Sequence, residues 1–174
     1  TYFFNGGYDQ PIAGEKRILV PSPDVLSYKK TPKMGLPAIT TQLLKALASN
    51  QYDFIGANIS NADMLAHTGS VPATIEAAEY VDNCLGKIVT AALAHNGIVC
   101  ITADHGNAEE LVNRDTGEID TEHSKNMVPC IIIKKGAKLR LRKRGILADI
   151  APTLLELLHI HQPRAMTGSS LLHS

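Results

Sequence analysis

An α/β fold of parallel βαβ units, three layers around a mostly parallel central sheet, is what this sequence predicts, on three observations. Short apolar runs of strand length alternate with longer segments whose apolar residues recur every three or four positions. Segments rich in Asp, His and Gly follow directly on two of those runs, where an open α/β sheet has its binding crevice. The chain's 174 residues, 44% of them hydrophobic, suffice for one compact domain with a core of its own.

The elements follow in order. TYFFNGG reads as a short aromatic strand, and EKRILVPSPDVLSYKKTPKMG, with its Pro and Gly, as a long surface loop. LPAITTQLLKALASN (36–50) predicts a helix, and YDFIGANIS (52–60) a first buried strand. Residues 71–97 place apolar side chains at 75, 78, 81, 85, 88, 89, 92 and 93, with Pro72 near the start and Gly97 after the end. That is an amphipathic helix with ordinary punctuation. GIVCITAD (97–104) and MVPCIIIKK (127–135) predict the second and third strands, and GILADIAPTLLELLHI (145–160) a last helix that Pro152 kinks or restarts.

Composition excludes several classes. Seventeen basic residues balance seventeen acidic ones, so no global field favours nucleic acid or an anionic membrane. No apolar stretch approaches the roughly eighteen residues of a membrane span, and no basic start with an apolar core marks a signal. Cys84, Cys100 and Cys130 form no paired motif and read as buried thiols of a cytoplasmic protein. The basic run from Lys134 to Arg144 reads as a solvated loop or hairpin, and it lacks the interleaved aromatics of a single-strand binder.

The chemistry concentrates in NADMLAHTG (61–69), ITADHGNAEE (101–110) and DTEHSKN (120–126), which hold five candidate metal ligands: Asp63, His67, Asp104, His105 and His123. Carboxylate and imidazole suit divalent ions, and an ion pair so held stabilises both ends of a phosphoryl or sulfuryl transfer. Asp63 and His67 stand four apart and share a face if helical. Gly106 permits the tight turn that lets Asp104 and His105 face one site. His123, in a polar loop, completes a carboxylate and two imidazoles for one ion. His95, His159, His161 and His173 fall at helix ends or in the tail and read as structural or solvated.

Taken in order, TYFFNGG, GEKRILVPSPDV, NADMLAHTG, ITADHGNAEE, EHSKNMVP and LADIAPTLLELL resemble the C-terminal part of the cofactor-independent (2,3-bisphosphoglycerate-independent) phosphoglycerate mutases, over nearly the whole chain. The metal segments are shared in outline with the wider alkaline phosphatase superfamily, while FFNGG and VPSP are more particular to the mutases. The resemblance implies an alkaline phosphatase-like sandwich, here incomplete, and two divalent ions, usually manganese. Asp63, His67 and His123 would bind one, and Asp104 with His105 the other. It implies interconversion of 3-phosphoglycerate and 2-phosphoglycerate through a phosphoserine, in glycolysis and gluconeogenesis.

The family's nucleophilic Ser, a further Asp ligand and the catalytic Lys have no counterpart in these residues. The resemblance therefore implies that residues 1–174 are the C-terminal portion of a metal-binding phosphatase-like domain, inactive alone, without its N-terminal segment and inserted transferase domain. Two departures flank His123: Glu122 stands where a small residue is usual, and Lys125 lies two residues on. Another enzyme of the superfamily (a phosphopentomutase, phosphatase or sulfatase) and a non-catalytic metal-binding module are the alternatives.

Overall fold

The computed structural model describes residues 5–12 and 14–173, so the aromatic strand expected at the start lies largely outside the described residues. The chain divides into two compact units, residues 1–91 with 105–127 and residues 92–104 with 128–174. A single domain was the expectation from length and composition. Neither quantity can register a chain that crosses between units at three points and builds each from non-contiguous pieces.

In the first unit, residues 15–27 carry no helix or strand, as expected of the loop, and lead into a 3-10 turn at Tyr28–Lys30 that Ser27 caps. The Glu15 carboxylate organises its start, accepting from the Asn5 side chain at 2.8 Å and the Ile12 N–H at 2.9 Å and pairing with Arg17 at 2.6 Å. Helix α1 spans Leu36–Ser49, with Pro37 in its first turn, and closes at Asn50 in the left-handed region. Helix α2 spans Asn61–Ala66 and helix α3 Val71–Ala94. Leu65, Ala73 and Ala77 form the core, with Tyr28 and Met34 packed against it.

The C-terminal part of α3 follows the predicted line, with Ala92 buried and Val81, Leu85, Ile88, Val89 and Leu93 half-buried, but its first turns do not. Ile75 is 53% exposed, whereas Ala73, Ala77 and Cys84, four and seven positions apart, are buried. Weighting by hydrophobicity favours the large Ile75. Close packing against α2 instead selects the face of small side chains.

Residues 52–60 belong to no strand among the described residues; the chain bends at Asp53, and Ser60 is already the N-cap of α2. Their apolar run encodes burial, which a ladder partner alone converts into a strand.

In the second unit, β1 (Ile98–Thr102) pairs with β2 (Cys130–Lys134). Both strands sit where expected, but the ladder is antiparallel, with Cys100 opposite Ile132 and Thr102 opposite Cys130. Parallel pairing needs a crossover, usually a helix, and residues 103–129 contain only a 3-10 turn at Ala108–Glu110. Helices and sheet coexist as predicted, while the described sheet is this two-stranded ladder.

Helix α4 (Ile150–Leu157) follows a 3-10 turn at Leu147–Asp149, so the chain restarts just before Pro152, which occupies the first turn and is buried. The Asp149 carboxylate accepts from the backbone N–H groups of Ile146 and Ser169 and pairs with Arg142 at 3.2 Å. Those hydrogen bonds, that of Ser169 first, hold its carboxyl below the usual range. Thr153 is 1% exposed; its Oγ1 donates to the Asp149 carbonyl at 2.6 Å and accepts the Leu171 N–H at 2.8 Å. Part of the basic run is also tied down, since Leu141 bridges Leu172 and the Arg142 side chain donates to the Ser169 carbonyl at 2.8 Å. No helix among the described residues is long and apolar enough to cross a membrane, and Cys84, Cys100 and Cys130 are free thiols.

Candidate metal centre

The first unit brings four of the five candidate ligands together. Asp63 lies in α2 and His67 caps its C-terminal end, the His67 N–H bonding the Asp63 carbonyl at 3.0 Å, so both side chains leave one face as their spacing requires. Gly69 follows with φ +67°, and a Cβ there would press on Ile119 and Thr121. The glycine lets segment 119–123 lie close against the end of α2.

The Thr121 carbonyl then reaches His67 Nδ1 at 2.8 Å. A carbonyl only accepts, so Nδ1 carries a proton, and in the neutral ring the lone pair is then on Nε2. This is the outer support that metal-binding imidazoles usually have.

His67 Nε2 faces His123 Nε2 at 3.1 Å, and Asp63 Oδ1 lies 3.2 Å from the first and 3.4 Å from the second. Two imidazole nitrogens at that distance share either a proton or a cation. Ligand atoms bound at about 2.1 Å to one ion stand roughly 3.0–3.4 Å apart in octahedral or tetrahedral shells, so this triangle has the edges of a coordination face. The donor set and spacing fit a divalent ion.

His105 stacks on His123, ring centroids 3.7 Å apart at 19°. Asp63, His105 and His123 also form a group whose ligand atoms all lie within 4.8 Å of one another. His105 therefore stands at the same cluster as the Asp63, His67 and His123 triangle, although the spacing of the sequence had assigned it with Asp104 to a second ion. Asp104, exposed at the end of the second unit, is not a member of that group.

Sequence reasoning credited only Asp104 and His105 within ITADHGNAEE and missed what surrounds them. Glu109 accepts the Asn107 N–H at 2.8 Å, the Asn126 amide at 3.0 Å and, closely, the Ser124 hydroxyl. The Ser124 hydrogen bond is the first cause holding its carboxyl at about 2. One carboxylate thus joins the segment carrying His105 to the segment carrying His123. Gly106 serves this junction in a way its predicted turn did not suggest. It bridges Ser124, whose N–H reaches the Gly106 carbonyl at 2.8 Å, and a Cβ on it would collide with Ser124 Oγ and Glu109 Oε1. Asn107, Glu109, Ser124 and Asn126, spaced along the chain, gave no periodic signal of such a junction. Glu122 and Lys125 are exposed and take no part in it.

The profile of the metalloenzyme superfamily matches residues 1–162. The chain belongs to the metalloenzyme superfamily. Over 176 aligned residues it is 48% identical to a 2,3-bisphosphoglycerate-independent phosphoglycerate mutase of Chloroflexus aggregans, with 99% of this chain and 33% of that protein covered. A protein of the same name from Thiobacillus denitrificans is 48% identical over 172 residues, at the same coverage of 99% and 33%. Among solved structures, a Leishmania mexicana phosphoglycerate mutase studied at low cobalt concentration superposes with a TM-score of 0.91 at 32% identity, over 99% of this chain and 34% of that one. This metalloenzyme-superfamily chain thus spans about a third of the length of the curated relatives it matches.

Proposed function

We propose that this chain is the C-terminal portion of the metal-binding, phosphatase-like domain of a cytoplasmic phosphoglycerate mutase, which interconverts 3-phosphoglycerate and 2-phosphoglycerate in glycolysis and gluconeogenesis. The observation that carries the reading is the triangle of Asp63 Oδ1, His67 Nε2 and His123 Nε2, with edges of 3.1 to 3.4 Å, in a chain similar to mutases along 99% of its length. Asp63, His67 and His123 would hold one divalent ion, and Asp104 with His105 would contribute to a second, both manganese. Such ions, when bound, lower a nucleophile's pKa and neutralise charge on a transferring phosphoryl group.

The residues of this chain supply alignment. Thr121 fixes the His67 tautomer, and the Glu109 junction holds His123 opposite His67. In this reading the nucleophilic Ser, the catalytic Lys and the remaining ligand come from an N-terminal segment, and the substrate is clamped by an inserted transferase domain. The whole domain would be a three-layer sandwich with a mostly parallel central sheet, in which residues 52–60 find ladder partners.

The test is a mutase assay on the whole protein. Activity should be abolished by chelation, restored by Mn²⁺, and lost in Asp63→Ala and His67→Ala. Release of free phosphate from phosphate esters, without formation of 2-phosphoglycerate, would replace this reading with a phosphatase. Undiminished activity in both variants would remove the metal centre from it.

A further inference from the structure

Asn107 is not among the metal ligands proposed above, yet its side chain is directed at two of them. It is 4% exposed; its Nδ2 lies 2.8 Å from Asp63 Oδ1 and 3.4 Å from His67 Nε2. Its own N–H is held by Glu109 at 2.8 Å, which fixes the backbone from which the amide projects. Its Oδ1 is buried without a hydrogen-bond partner. The orientation of the amide is therefore set by the ligand side alone. Turned the other way, it would place a carbonyl oxygen against a carboxylate oxygen, two acceptors with no proton between them.

We propose that Asn107 is a positioning residue for the metal centre, which holds the ligand oxygen of Asp63 in register with His67. The proposal rests on the metal reading above. A carboxylate oxygen has two lone-pair directions, and the Asn107 N–H takes one, leaving the other for the cation. Asp63 has three rotatable arrangements about its first side-chain bond, and its i, i+4 spacing from His67 brings the two side chains near without deciding which arrangement is used. The Asn107 donor selects the one in which Oδ1 stands 3.2 Å from His67 Nε2 and 3.4 Å from His123 Nε2. The donor also lies beside His67 Nε2, so it faces the edge of the triangle that α2 supplies, while the Glu109 junction governs the corner that His123 supplies. The two supports meet at Asn107, whose backbone belongs to one and whose side chain to the other.

The test is titration of the whole protein with Co²⁺, following affinity by calorimetry and coordination by the visible absorption of the bound ion. Asp63→Ala identifies the ion in question as the one whose binding it removes. Asn107→Ala removes the donor, and Asn107→Leu removes it while nearly keeping the volume. Both should bind that ion about 10- to 100-fold more weakly, as loss of an outer-shell partner typically does, with a changed absorption spectrum. Thermal unfolding in chelator establishes that each variant is folded. If Asp63→Ala abolishes binding while Asn107→Leu matches the natural protein in affinity and spectrum, Asn107 only fills space and the proposal is overturned. If Asp63→Ala leaves every ion in place, the metal reading fails and this proposal with it.

Discussion

Gly106→Ala tests how far the candidate centre depends on the contact between two loops. The new Cβ would sit well inside the 3.0 Å that real Cβ contacts respect, against both Ser124 Oγ and Glu109 Oε1. Both atoms must retreat by roughly 0.5 Å or more, beyond the ~0.2 Å tolerance of metal–ligand distances. Ser124 adjoins His123 in the chain, so its retreat is passed to the imidazole, which stands 3.1 Å from His67 Nε2. The hydrogen bond between Ser124 and Glu109 is lost in the process. A hydrogen bond to a charged group contributes about 1.5–3 kcal/mol, and exposure of Glu109 places this one at the low end. About 1.5 kcal/mol corresponds to a roughly tenfold weaker ion. The assay is Mn²⁺ calorimetry on the whole protein, restricted to the ion that His67→Ala removes, with the unfolding temperature measured in chelator as control. Binding within about twofold of the natural protein would refute the reasoning, because it would mean that His123 does not depend on the junction.

Three further outcomes are expected. Thr153→Val keeps the shape but strands the buried Leu171 N–H, so it should cost about 1–3 kcal/mol and speed amide exchange at Leu171; unchanged exchange there would contradict the role given to Thr153. Glu109 has its carboxyl lowered from 4.5 to about 2, so the stability it contributes is complete above 4.5 and is lost as pH falls toward 2. Glu109→Gln should therefore flatten the acid limb of the unfolding curve across that window, and an identical limb would show that the carboxylate is not coupled to folding. Burial, then the neighbouring Cys130, raises the Cys100 thiol to about 11. At pH 8 Cys100 should be alkylated roughly 100-fold more slowly than an ordinary cysteine, as followed by mass spectrometry of its peptide; equal rates would place it in open solvent.

What could be read from the sequence divides along a physical line. Helices α1 and α3 and the strands β1 and β2 were legible because periodicity and punctuation are local, and so was the shared face of Asp63 and His67, which follows from a spacing of four. Partners were not legible. Whether Ile98–Thr102 pairs parallel or antiparallel, and whether residues 52–60 have a partner, depends on distant segments. Asn107, Glu109, Ser124 and Asn126 are ordinary polar residues whose part in the centre exists only once two loops meet. Ile75 misled in the opposite sense, because at the start of α3 the small Ala73 and Ala77 pack while the larger Ile75 does not.

The register that sets Thr102 opposite Cys130 makes residues 103–129 an excursion that leaves the ladder and rejoins it at one end. His105 and His123 both lie within it. Joining the ends of a flexible loop costs an entropy that rises only with the logarithm of its length, and pairing of the strands meets that cost. The tip of the excursion is a small hairpin, with the Asn113 N–H on the Glu118 carbonyl at 2.9 Å and an exposed turn through Asp115, Thr116 and Gly117. Added residues at that tip would lengthen a loop already closed on both sides, for a fraction of a kcal/mol (about 0.6 for each doubling). The chain's length can thus drift at the hairpin tip while the histidines that flank it keep their address.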